Sequence, residues 1–131
     1  MKIAIIYSLP TRRAKETQYL AADEDTKASA IKVFDVLKAK GQSPQLISVS
    51  EDSIDSISRL SADCIVNLIE WTGADTPLSL FALELLEKRG IPFTGATATN
   101  FAMTTDKVRM KEALDAHNLP TSRWQAFITG N

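Results

Sequence analysis

The chain has 131 residues, a length at which one compact domain around one core is the expectation. Hydrophobic residues make up 44% and charged residues 24%, a globular composition that leaves too few polar runs for disorder to dominate. With 15 Lys and Arg against 16 Asp and Glu, the net charge of -1 gives no reason to expect nucleic acid or an anionic membrane as partner.

In chain order, the first element is a strand. Ile3, Ala4, Ile5, Ile6 and Tyr7 form a continuous apolar run, as expected of a strand covered on both faces. The run is far shorter than a signal-peptide core, and no membrane span follows, so a cytoplasmic location is expected. Ser8 to Glu24 then reads as a long charged connection, and loops of this length are functional or mobile as a rule. The spacing of Ala30, Val33, Phe34 and Leu37 predicts a helix from Asp25 to Lys40, with acidic residues from Asp23 at its start and Gly41 as its left-handed stop. Gln45 to Val49 is a second strand, and Ile54, Ile57 and Leu60 mark a short Ser-rich helix over Ser53 to Leu60.

Cys64 to Ile69 is the third strand, with Cys64 expected as a buried, inert thiol. The irregular stretch Trp71 to Asp75 leads to a helix with Thr76 as N-cap and Pro77 in the first turn, whose buried stripe is Leu78, Phe81, Ala82 and Leu85 before Gly90. Gly90 and Gly95 bracket a buried strand, Ile91 to Thr94. A last helix runs from about Thr105 to His117, burying Met110, Ala113 and Leu114, and Asn118 and Pro120 end it. Trp124 to Ile128 begins another strand. The β-α-β-α order calls for parallel strands with right-handed crossovers. The predicted fold is therefore α/β, a three-layer open, mainly parallel sheet with helices on both faces. Ligands of such sheets bind beyond the C-terminal ends of the strands, which singles out the loops that begin at Ser8 and Trp71.

Several chemistries are missing from those loops. The segment after the first strand reads SLPTRR, without the glycines that let backbone N–H groups cradle a dinucleotide phosphate, and no Walker-type GxxxxGK occurs. A phosphoacceptor carboxylate at the end of the third strand is lacking until Glu70. His117 is the single histidine and falls at a helix end, so neither a Ser-His-Asp arrangement nor a histidine-based metal set can be assembled. No catalytic residue and no metal ligand is assigned. Lys107 stands out for another reason: it lies in the first turn of the last helix, where a cation opposes the helix dipole.

The pieces VNLIE, LELLEKRGIPFTG, TTDKVRMKEAL and NLPTSRW, in this order and spacing, resemble the N-terminal third of D-alanine–D-alanine ligases and their relatives in the ATP-grasp superfamily. The likeness is concentrated in Ile65 to Trp124. It implies a Rossmann-like pre-ATP-grasp domain over residues 1–120, with 121–131 as the start of an ATP-grasp domain that this chain lacks. It also implies that Lys107, the lysine of the DK pair, reaches ATP, where an ammonium suits phosphate. A cytoplasmic ligase of cell-wall biosynthesis is the corresponding activity, activating a carboxylate as an acyl phosphate for attack by an amine. ATP and Mg²⁺ would serve the full-length protein, the Mg²⁺ ligands lying beyond Asn131, and neither is expected to bind tightly to this chain, which is expected to be inactive alone.

The chain departs from the family at the substrate loops. The family's short Gly-rich loop after the first strand carries an acidic residue that holds the first D-alanine; here the loop is longer and lacks glycine, with Glu16 and Glu24 as the candidates. Where the family has His-Gly after the third strand, this chain has Glu70-Trp71-Thr72-Gly73. Glu70 is a candidate for a substrate amine, and Trp71 either lines the site or covers the core. A ligase for another amino acid or a peptide fits as well. The partners expected are that small-molecule substrate and the missing ATP-grasp domain, with no nucleic acid and no membrane; a homodimer stays open. Two further readings remain: a freestanding binding or regulatory module without ligase activity, and an α/β domain whose ligand is unrelated to ATP.

Overall fold

The computed structural model describes residues 1–16 and 20–127, with the side chains of 21–24 outside that description. The chain divides into two compact units, Met1–Ala98 and Thr99–Asn131.

The first unit is an open parallel sheet of three strands, β1 (Lys2–Ser8), β2 (Ser43–Val49) and β3 (Cys64–Leu68), in the order β2-β1-β3. Central β1 pairs Ile5 with Leu46 on one side and with Val66 on the other. Successive side chains of a strand point to opposite faces, and Ile3 to Ile6 are all buried, so both faces are covered, as the continuous apolar run requires. α1 (Leu20–Ala39) lies against all three strands. Its Ala30 joins Ile3 and Ile5 in the core, with Val33, Phe34 and Leu37 packed around them, the spacing read from the sequence. α2 (Thr76–Arg89) packs with a 3₁₀ turn, Ile54–Arg59, and both contribute buried residues, among them Ile57 and Leu86. The architecture is the three-layer, Rossmann-like α/β class that the element order implies.

Several expectations need correction. α1 begins at Leu20, five residues before Asp25, and Ala14–Glu16 forms a 3₁₀ turn, so the connection after β1 is shorter than Ser8 to Glu24. The short helix expected over Ser53 to Leu60 is present, as the 3₁₀ helix Ile54–Arg59. In α2 the buried stripe is Ser79, Ala82, Leu83 and Leu86, while Phe81 is exposed; with leucines at 78, 80, 83, 85 and 86, several helix faces look apolar and the sequence does not choose among them. Asp75, not Thr76, is the N-cap. Ile91 to Thr94 forms a single parallel bridge, Phe93 with Ile65, instead of a buried strand. Pro92 has no N–H to give a ladder, and its carbonyl accepts from Ile65 N–H at 2.8 Å. Cys64 is only partly buried.

α2 ends at Gly90, whose φ of 69° is left-handed and whose N–H reaches the Leu86 and Glu87 carbonyls. A Cβ built there meets nothing within 4 Å. Gly90→Ala therefore carries backbone strain alone and is expected to cost about 1–2 kcal/mol, seen as a lower urea midpoint.

The second unit holds α3 from residue 99 onward (Ala98–Thr105 in all) and α4 (Lys107–Ala116). The helix read over about Thr105 to His117 is α4, and the Thr- and Ala-rich segment ahead of it is helical too, the two separated at Asp106. Met110, Ala113 and Leu114 are half-buried. Asn118, with φ of 54°, closes α4 as read, and Leu119 N–H returns to the Leu114 carbonyl at 2.9 Å. Residues 121–124 fold back on α4, with Lys111 Nζ bonded to the Thr121 and Ser122 hydroxyls and Trp124 Nε1 donating to Asp115 at 2.9 Å. Residues 124–127 have no regular structure, and Ile128, the end of the expected strand, lies outside the described residues.

Candidate functional site

Three parallel strands deliver three loops to one edge of the sheet. Side chains join these loops to one another. The Ser8 hydroxyl, at the end of β1, donates to the Glu70 carbonyl at 3.1 Å and accepts from Glu70 N–H at 3.0 Å. Thr11 Oγ1 donates to Asp75 Oδ2 at 2.6 Å and accepts from Ala14 N–H at 2.9 Å, so one hydroxyl both crosses to the loop after β3 and caps the 3₁₀ turn. Arg12 turns the other way, its Nη2 donating to both Asp52 oxygens at 2.7 and 2.8 Å and its Nε lying 3.1 Å from Glu51. Its guanidinium is pushed above its ordinary value by the hydrogen bond to Asp52, then by the charges of Asp52 and Glu51.

Trp71 is 2% exposed. Its indole N–H donates to the Leu9 carbonyl at 2.9 Å, and its backbone N–H and carbonyl both engage the buried Ser79 hydroxyl. This placement fits the core-covering alternative. Glu70, one residue earlier, is exposed, its backbone fixed by Ser8 and its carboxylate free to meet a ligand. Glu16 is exposed at the end of the 3₁₀ turn, and the side chain of Glu24 lies outside the described residues. Residues 8 and 11, 75 and 79 organise this edge, and composition did not mark them; a small hydroxyl at a strand end was the one available signal.

Lys107 belongs to the second unit. Asp106 caps α4, its Oδ1 accepting from Val108 and Arg109 N–H at 3.1 Å each. Lys107 Nζ turns back and donates to the Thr104 carbonyl at 3.1 Å, near the C-terminal end of α3, where a cation is favourable. The dipole conflict expected from the sequence is resolved locally. His117 is exposed at the C-cap of α4. Asp106→Ala is expected to cost about 1 kcal/mol through the lost cap and to reduce helical circular dichroism.

Among the described residues, no group of three or more His, Cys, Asp or Glu is placed to hold a metal ion, and no buried side-chain nitrogen or oxygen lacks a partner. No described helix is long and apolar enough to cross a membrane.

Fold and edge together define an open parallel α/β domain with a candidate ligand edge at its strand ends. No family model matches the chain. Over 98 residues, 75% of its length, it is 29% identical to a D-alanine–D-alanine ligase of Glaesserella parasuis serovar 5 (strain SH0165), of which it covers 31%. Over 83 residues, 62% of its length, it is 31% identical to the trifunctional purine biosynthetic protein adenosine-3 of Homo sapiens, of which it covers 8%. The chain is thus similar, over part of its length, to a ligase and to a purine biosynthetic protein, and spans less than a third of either.

Proposed function

We propose that this chain is the N-terminal α/β domain of an ATP-dependent carboxylate–amine ligase of the ATP-grasp type, contributing to substrate and ATP binding and inactive alone. The observation that carries the reading is the 98-residue similarity to a D-alanine–D-alanine ligase, on a domain whose strand ends present an exposed carboxylate, Glu70. The second unit adds support: none of its described residues is buried, and Met103, Val108, Leu119 and Phe127 are exposed, as expected if a further domain covers them.

In this reading Lys107 leaves the Thr104 carbonyl for an ATP phosphate, and Glu70 holds the ammonium of an amino acid or peptide. ATP supplies the phosphoryl group that activates the carboxylate. The described residues do not fit a Mg²⁺ site, so no step is assigned to the metal here. Release of ADP by the full-length protein, assayed with a panel of D- and L-amino acids and dipeptides, tests the proposal. Stimulation by one of them is the expected result; no stimulation by any would overturn it. Glu70→Gln is expected to raise the Michaelis constant for that substrate about tenfold without moving the urea midpoint, because the carboxylate is exposed and bonds to no side chain or backbone group among the described residues.

One observation favours a second reading, a freestanding binding module: the Lys107 ammonium already has a structural partner in Thr104. In that case ADP release is absent and Lys107→Ala affects stability only.

A further inference from the structure

At the end of α4 the chain is turned back along the helix. His117, Asn118 and Leu119 donate their N–H groups to the Ala113, Asp115 and Leu114 carbonyls, and Asn118 takes the left-handed conformation that such a reversal needs, with φ of 54°. Pro120 then fixes its own φ and keeps Leu119 out of helical backbone. Beyond the turn, two side chains one helical turn apart on α4 meet the returning segment. The half-buried Lys111 ammonium has three N–H donors, and three oxygens of one dipeptide meet them: the Thr121 hydroxyl, the Ser122 hydroxyl at 3.1 Å and the Ser122 carbonyl at 3.4 Å. Asp115 accepts from Nε1 of the half-buried Trp124 at 2.9 Å.

We infer that residues 117–124 form a rigid elbow, turned by its own backbone at 117–120 and locked at its far end by Lys111 and Asp115, which fixes the line along which the chain leaves α4 at Trp124. An irregular segment outside helix and sheet normally keeps much of its backbone freedom, and each residue so ordered costs about 1–2 kcal/mol of conformational entropy. Here charge-assisted bonds from one ammonium and one carboxylate offset that cost. The two parts act separately: the backbone sets the turn, and the side chains hold the arm that follows it. If a ligase domain follows, as proposed above, the elbow carries that domain in one direction instead of on a loose tether; this consequence rests on the ligase reading, whereas the elbow itself does not.

Backbone order parameters from nuclear magnetic resonance of the 131-residue chain test the lock, and they need no substrate. At Arg123 and Trp124 values of about 0.85, the level of rigid backbone, are expected. Lys111→Met/Asp115→Ala removes both contacts while placing two good helix formers in α4, so helical circular dichroism is expected to persist as these order parameters fall below about 0.6. Exchange of the Leu119 amide, whose bond to the Leu114 carbonyl belongs to the turn, is expected to change by less than about twofold. Asp115→Asn, whose amide oxygen still accepts from the indole, is expected to leave the order parameters as they are. Flexible values at Arg123 and Trp124 in the unaltered chain, or rigid values that persist in Lys111→Met/Asp115→Ala, would overturn the lock, whatever the ADP-release assay shows for the full-length protein.

Discussion

In the full-length protein, Lys107→Ala is expected to raise the Michaelis constant for ATP about ten- to a hundredfold, the loss of one charge-assisted hydrogen bond to phosphate. Stability is expected to fall by less than about 1 kcal/mol, because Nζ is exposed and supports the fold only through the end of α3. Lys107→Arg keeps the charge but not the compact ammonium, so an intermediate constant is expected. Steady-state kinetics beside a urea titration separate the two roles of this side chain. An unchanged constant with a lowered midpoint would assign Lys107 to helix closure and move the balance to the freestanding module.

Trp71→Ala is expected to be the most destabilising single change at the candidate edge, by about 3–5 kcal/mol. The side chain is buried, and its removal leaves a large cavity and strips the Leu9 carbonyl of its donor. Trp71→Phe retains most of the ring and loses the N–H, so about 1–3 kcal/mol is expected for the carbonyl left unpaired. Chemical denaturation followed by far-ultraviolet circular dichroism measures both. A loss below about 1 kcal/mol for Trp71→Ala would show that the indole does not seal the core and would return it to the list of ligand contacts.

The parallel sheet was legible because the central strand is apolar on both faces and the strands are short apolar runs separated by helical spacing; Ile3 to Tyr7 lies within β1, one residue short of each end. α1 was legible through the spacing of Ala30, Val33, Phe34 and Leu37, and its stop through Gly41, with φ of 74°. Its start was not, because the acidic run Asp23 to Asp25 reads as a helix beginning, whereas it lies inside α1, which already includes Leu20. The Ile91 to Thr94 segment looked like a strand by composition, but Pro92 removes a ladder donor and a single bridge results. At the candidate edge, Glu70 could be placed from its position after β3. Thr11 and Asp75 are 64 residues apart, and neither periodicity nor spacing records a pair that meets only when the sheet forms. The position of Lys107 looked anomalous because the preceding segment was not read as a helix; once α3 is seen, the same residue serves the helix behind it.

The bonds among the strand-end loops also bear on how such a domain changes specificity. Each contact is divided between two loops: Ser8 with Glu70, Thr11 with Asp75, Arg12 with Glu51 and Asp52. Ser8 bonds to the Glu70 backbone, but a loop transplanted alone from a relative would carry half of each of the other two pairs and leave the other half facing water or an unmatched neighbour. The effects of changes in the three loops are therefore not additive. A change of loop is therefore expected to need matched exchanges at Thr11 with Asp75 and at Arg12 with Glu51 and Asp52, whereas the Glu70 side chain, which bonds to no described residue of another loop, can be exchanged without them.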